Sequence, residues 1–140
     1  MILLDNDHFT VMAHENYSQH RGLAVRLRAA EEEVCLPVIA VEESLRGWLA
    51  KVHQAKRESQ RIAAYDHLIE LLGVVSQLRI IRWDGDAARE FARQRALRVN
   101  ISPHDLMIAT LAITHGALLL TRNAKDFSRV VGLRFESWLD

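Results

Sequence analysis

Met1-Ile2-Leu3-Leu4-Asp5-Asn6-Asp7 opens the chain with an apolar run that closes on a carboxylate, and Ala117-Leu118-Leu119-Leu120-Thr121 places a second such run near the other end. A short run that is apolar on both faces belongs to a strand covered by helices on both sides. These two segments are therefore predicted to be central strands of a mainly parallel sheet. Val34-Cys35-Leu36, which stops at Pro37, and Arg79-Ile80-Ile81 supply two more strands, and Arg134-Phe135-Glu136 a shorter one at an edge. Longer stretches with helical spacing separate these runs, and that alternation defines a layered α/β domain, a central sheet flanked by helices.

Between the second and third runs, Leu45, Leu49 and Val52 recur at helical intervals, as do Ile62, Tyr65, Ile69 and Leu72. This predicts a helical hairpin after the second strand, with both apolar faces packed inward. Further helices are expected over 85–97 and 103–115. The second of these has Ser102 as its cap, Pro103 at its first position and Gly116 as its terminator. From Leu106 to Ile113 only Thr110 is polar, so that helix is expected to be largely buried.

The composition supports a single domain over residues 1–140 and excludes disordered or low-complexity classes: 49% of residues are hydrophobic, 26% charged, and only 2 are proline. One cysteine, Cys35, rules out an internal disulfide framework and fits a reducing compartment, so a cytoplasmic location is expected. No stretch approaches the roughly 18 apolar residues of a membrane span, and neither membrane insertion nor secretion is expected.

Net charge is zero, but its distribution is uneven: residues 1–43 hold eight acids against three bases, and residues 44–61 five bases against one acid. Arg46, Lys51, Lys56 and Arg57 are either an ordinary solvated helix face or a ridge that contacts phosphates. Arg89 and Arg93 form a second basic strip.

Four carboxylates, Asp5, Glu43, Asp105 and Asp126, fall where an apolar strand hands over to a helix. Each has a local explanation. Asp5 can cap a helix starting near Asp7, and Glu43 can sit in the first turn of the hairpin helix. Asp105 and Asp126 stand three residues after Ser102 and Asn123 in loose capping boxes. In an open parallel sheet, however, such junctions share one edge, and ligands bind there. Four converging acids repel one another unless a cation or shared protons neutralise them. Mg²⁺ or Mn²⁺ suits an all-oxygen set, and the arrangement suits phosphodiester hydrolysis.

Four segments carry a family resemblance: Ile2-Leu3-Leu4-Asp5, Val41-Glu42-Glu43-Ser44-Leu45-Arg46-Gly47, Asp105-Leu106-Met107-Ile108-Ala109, and Leu120-Thr121-Arg122-Asn123-Ala124-Lys125-Asp126-Phe127. In this order and spacing the chain resembles the PIN-domain nucleases, and among them the VapC-type toxins of toxin–antitoxin pairs. The resemblance implies a metal-dependent endoribonuclease, a homodimer, and inhibition by a small antitoxin. It maps the metal-coordinating acids onto Asp5, Glu43, Asp105 and Asp126, with Thr121 and Asn123 as supporting polar residues. Glu43 is preferred to Glu42 because the family acid stands four residues before the glycine, here Gly47. Asn6 takes a supporting position where the family commonly has Thr or Ser, which implies altered hydrogen-bond support around the metal rather than its loss.

Two other readings share some of these residues. Leu4-Asp5-Asn6-Asp7 looks like the opening of haloacid-dehalogenase-type phosphatases, with Asp5 as nucleophile and Asp7 as general acid/base. A catalytically silent RNA- or partner-binding domain would keep the fold without cleavage. The seven histidines show no zinc pattern, since His8, His14 and His20 are six residues apart and fall on different helix faces, and they are expected on the surface. Trp48 is expected to be core or interface, and Cys35 an inert buried thiol.

Overall fold

In the computed structural model, which describes residues 1–140, the chain runs β1 (Ile2–Leu4), α1 (Asn6–Ala13), α2 (His20–Ala29), β2 (Val34–Pro37), α3 (Val38–Gln54), α4 (Glu58–Val75), β3 (Arg79–Ile81), α5 (Gly85–Ala96), α6 (Pro103–Thr114), β4 (Leu118–Leu120), α7 (Ala124–Phe127) and β5 (Arg134–Glu136). The five strands form one parallel sheet in the order β3-β2-β1-β4-β5. All five expected strands are present, with β1 at the centre, β4 beside it, and β5 at an edge. The chain first builds outward from β1 to β3, then crosses back to add β4 and β5 on the other side. Leu4 is in register with Leu120, so the loops after β1 and β4 leave the sheet side by side and then diverge. That divergence opens a crevice at the carboxyl ends of the strands.

Alternation along the strands divides the core in two. Leu3, Cys35 and Leu119 join Leu106, Ile108, Leu111 and Phe127 on the face covered by α5 and α6. Ile2, Leu4, Leu36 and Leu120 join Phe9, Leu23, Leu27 and Leu71 on the opposite face, under α1, α2 and α4. Burying each of these large side chains contributes about 1.5–3 kcal/mol. Ser102 caps α6 by accepting from the Asp105 amide at 3.2 Å, with Pro103 at the first position as expected. Thr110, the lone polar residue of that buried helix, donates to the Leu106 carbonyl at 2.7 Å and is satisfied within its own turn. Gly116, at φ +59°, ends the segment in the left-handed region that other residues avoid.

Several expectations need correction. The helical hairpin forms, but α4 is turned around: Ile62, Tyr65, Ile69 and Leu72 are 50–67% exposed, whereas Ala64 and Leu71 are buried. Apolar residues surround most of this helix, so spacing alone specifies a helix without specifying its inward face. Leu49 of α3 is exposed as well. Helix α2 is an addition, a charged segment whose buried contacts are Leu23 and Leu27. His8 and His14 are not surface residues but fully buried, and His20, partly buried, is bound through Nδ1 to the Val11 carbonyl oxygen. The Arg89 and Arg93 strip is tied up in ion pairs with Asp86 and Glu90 one turn earlier. Cys35 is buried as expected, and burial pushes its thiol up to about 11. No helix is long and apolar enough to cross a membrane.

Candidate active site

Asp5 follows β1 immediately and caps α1: its Oδ1 accepts from the Asn6 amide at 2.7 Å. Its own amide donates to the Leu120 carbonyl, which fixes the loop against the end of β4. Across the crevice, Thr121 Oγ1 donates to Asp5 Oδ2 at 2.7 Å and accepts from the Asn123 amide at 3.1 Å. Asn123 continues the chain of contacts. Its Nδ2 donates to Asp126 Oδ2 at 2.9 Å and reaches Asp105 Oδ2 at 3.5 Å. Thr121 and Asn123 thus connect three of the four acids, which come from the β1–α1 junction, α6 and α7.

Glu43 enters from α3. This helix starts at Val38 directly after β2, so Glu43 lies in its second turn, beyond the orphan amides that would explain a first-turn acid. The dipole account of Glu43 therefore fails, and its place at the crevice needs another reason. His104, at the start of α6, lies 3.4 Å from Glu43 and 3.7 Å from Glu42. Asn6 does not touch a carboxylate of the set through its side chain; its Oδ1 accepts from Ser44 Oγ, joining the start of α1 to α3 beside Glu43.

The electrostatics follow from burial and like charge. Burial pushes Asp5 up to about 6; the Thr121 hydroxyl opposes this, and the charges of Asp7 and Asp105 reinforce it. Glu43 is raised by burial and then by Asp5, and Asp105 is raised by burial and then by Asp126, against the Ser102 bond. Three acids of the set are therefore held in an environment that disfavours their ionised forms. Asp7 behaves differently. Burial raises it, but hydrogen bonds from His8 and the Arg122 amide outweigh burial and keep it below the ordinary carboxylate range. With both oxygens engaged, Asp7 is an anchor rather than a proton donor, contrary to the role the phosphatase reading gives it. His8 completes that anchor, because its Nε2 accepts from the Trp138 amide at 3.0 Å and ties down the C-terminal segment.

The four acids are spaced openly. The one set of three metal-ligating atoms that all lie within 4.8 Å of one another is elsewhere, at His14, His67 and Glu70. A hard cation that keeps several of its waters needs only one or two direct carboxylates, so it does not require tightly converged ligand atoms. The basic residues run away from the crevice. Arg46 pairs with Glu42, and the Lys51 ammonium sits 4.4 Å from the centre of the Trp48 ring. Lys56 and Arg57 lie at the hairpin turn, about 20 Å along the helix from Glu43 at 1.5 Å per residue. Asp7 and His104 are the structurally involved residues that sequence reasoning left outside the set, although both sit beside a predicted acid.

The carboxylate-lined crevice lies at the switch point of a parallel α/β sheet, the place where such folds bind their ligands. The chain belongs to the PIN domain family, whose profile it matches over residues 10–133. That span contains Glu43, Asp105 and Asp126 and begins just after Asp5. Over 36 residues the chain is 58% identical to ribonuclease VapC1 of Rickettsia felis, covering 26% of this chain and 27% of that protein. Over 76 residues it is 34% identical to the tRNA(fMet)-specific endonuclease VapC of Shigella flexneri, covering 51% of this chain and 58% of the relative. The matched stretch is thus less than two thirds of either relative. The fold is shared more widely. The VapBC2 structure of Rickettsia felis bound to a promoter DNA fragment superposes with a TM-score of 0.75 at 24% identity over 99% of both chains. DNA-bound VapBC of Salmonella typhimurium gives 0.77 at 23% identity, over 98% of this chain and 97% of that one.

Proposed function

We propose that the protein is a metal-dependent endoribonuclease and the toxin of a toxin–antitoxin pair. The observation that carries this reading is the convergence of Asp5, Asp105 and Asp126 through Thr121 and Asn123, with Glu43 facing them from α3. Membership of the PIN family supports it and sets aside the haloacid-dehalogenase reading.

The donor set fits Mg²⁺ or Mn²⁺. All four ligands offer hard oxygens, and the raised Asp5, Glu43 and Asp105 carry a charge penalty that a cation relieves. When bound there, the ion supplies activated water and charge neutralisation for phosphodiester hydrolysis. The protein's own contribution is positioning. Thr121 and the Asn6 amide hold the two oxygens of Asp5 in fixed directions, and Asn123 spaces Asp105 from Asp126. His104, half exposed beside Glu43, is placed to meet a phosphate oxygen at the mouth of the crevice. Arg46, Lys51, Lys56 and Arg57 extend along the hairpin as a phosphate-binding ridge for RNA outside the cut site.

Two uncovered surfaces suit the partners that the family resemblance implies. The exposed face of α4 at Ile62, Tyr65, Ile69 and Leu72 is assigned to a homodimer contact. The apolar groove at Val38, Val41, Leu45 and Leu49 is assigned to a small antitoxin protein. A reducing cytoplasm suits the single buried cysteine and the RNA substrate.

The test is cleavage of labelled structured and single-stranded RNAs with Mg²⁺ or Mn²⁺, beside EDTA and Asp5→Asn controls. Metal-dependent cutting that the variant loses is the expected result. RNA binding with no cutting under any metal would replace the nuclease by the silent binding domain.

A further inference from the structure

A second constellation of ligating atoms lies outside the acid crevice, on the face of the sheet covered by α1 and α4. His14 caps the C-terminal end of α1, while His67 and Glu70 stand one turn apart on α4 and so share a face. Their ligating atoms converge: His14 Nδ1 is 2.6 Å from Glu70 Oε2, His67 Nδ1 is 3.4 Å from His14 Nδ1, and His67 Nδ1 is 3.6 Å from Glu70 Oε2. Two imidazole nitrogens facing each other at that distance cannot both carry protons into the gap, so at least one lone pair points into it.

The rings are also held in place. Trp48 of α3 stacks on His67 at 4.6 Å and 26°, and meets His14 edge-on at 5.3 Å and 75°. His14 is fully buried and its Nε2 has no hydrogen-bond partner. All of the polar interaction of this buried ring therefore falls on Nδ1, the atom that faces the gap. A buried histidine kept only for packing does not need a second histidine and a carboxylate aimed at the same nitrogen.

We infer that His14, His67 and Glu70 form a binding site for a divalent transition metal of the zinc class, separate from the carboxylate crevice. Two nitrogens and one oxygen are a borderline-soft set that favours Zn²⁺ over Mg²⁺. In a tetrahedral zinc site with bonds of about 2.0–2.1 Å, neighbouring ligand atoms lie about 3.3 Å apart. The two edges at His67 Nδ1 are already close to that length, and the third opens when Glu70, about half exposed, swings outward. A groove lined by His67, Glu70 and Glu15 runs beside the cluster and gives water access to it. Such an ion ties the end of α1 to α4, while Trp48 extends the cluster to α3. The other ends of α1 and α3 carry Asp5 and Glu43, so occupancy stiffens the two helices that frame the crevice. The inference itself does not depend on any activity at the crevice.

The test is titration of the whole protein with Zn²⁺ in excess Mg²⁺, read by calorimetry, by Trp48 fluorescence and by thermal melting. The expected result is one equivalent bound, a fluorescence change that the Trp48→Phe variant lacks, and a higher melting temperature. Affinity falls at least tenfold in both His67→Ala and Glu70→Gln, and is unchanged in Asp126→Asn, which disturbs only the crevice. His67 and Glu70 are both partly exposed, and melting without metal verifies that each variant is folded. Absence of stoichiometric binding, or binding that Asp126→Asn abolishes and neither His67→Ala nor Glu70→Gln weakens, overturns the inference.

Discussion

Thr121 Oγ1 and Asp5 Oδ2 are joined by a 2.7 Å hydrogen bond across 116 residues of sequence. The bond closes the crevice between β1 and β4 and is the largest influence opposing the upward push of burial on Asp5. Thr121→Val keeps the shape and removes the donor. Asp5 then rises above about 6, RNA cleavage falls roughly tenfold, and stability at neutral pH drops by about 1–2 kcal/mol. Cleavage assays and denaturant melts check both; unchanged values in the two would make the bond incidental.

Asp5→Asn removes a buried charge from a cluster of like charges. Cleavage is expected to fall at least a hundredfold, while the fold holds or gains stability at pH 7.5 because repulsion from Asp7 and Asp105 is relieved. Loss of activity together with a lower melting temperature would assign Asp5 to the scaffold instead.

The pH dependence of stability has a definite sign. The ordinary value of Asp5 is 3.8 and burial lifts it to about 6, so between these values the folded protein keeps a proton that the unfolded chain has released. Stability therefore falls as pH rises through this window, by up to about 3 kcal/mol from Asp5 at 1.36 kcal/mol per unit. Glu43 and Asp105, also raised, act in the same direction, whereas Asp7, which is lowered, adds stability that is lost only below its ordinary value of 3.8, outside this window. Melts of the parent and Asp5→Asn at pH 4.5 and 7.5 should differ in slope. Parallel profiles would show that Asp5 titrates normally. Added Mg²⁺ should flatten the parent's fall by favouring the ionised carboxylates.

Ile69 is 67% exposed on the outer face of α4. Ile69→Lys should change monomer stability by less than about 0.5 kcal/mol, as substitutions on a free surface do. Sedimentation of parent and variant then tests the face as a dimer contact. A parent dimer that the lysine dissociates is expected; identical behaviour of the two would free this face from the assignment.

Lys56→Ala tests the basic ridge. If Lys56 contacts phosphate, affinity for RNA falls and the dependence of affinity on salt becomes shallower by about one counterion. An unaltered salt slope would return Lys56 to ordinary solvated surface.

Much of this molecule was legible in the residues. Ile2–Leu4 and Leu118–Leu120, apolar on both faces, pointed to the middle of a parallel sheet, and that placement put Asp5 and Thr121 at neighbouring strand ends. Ser102-Pro103 marked the start of α6 through local backbone chemistry. These features depend on residues close in sequence, whose preferences act before any tertiary contact forms.

Tertiary packing decided the rest. Helix α4 is apolar around most of its circumference, so its spacing carries no direction, and only the fit of Leu71 and Ala64 against the core selected the buried side and left Ile69 in water. The burial of His14 likewise depends on α1, α3 and α4 meeting around one nitrogen. His67 and Glu70 drew no notice in the sequence, because their third partner stands more than fifty residues away. Periodicity reports which residues share a face. Which faces meet is settled by packing and electrostatics between segments far apart in the chain, and that is where both candidate sites are made.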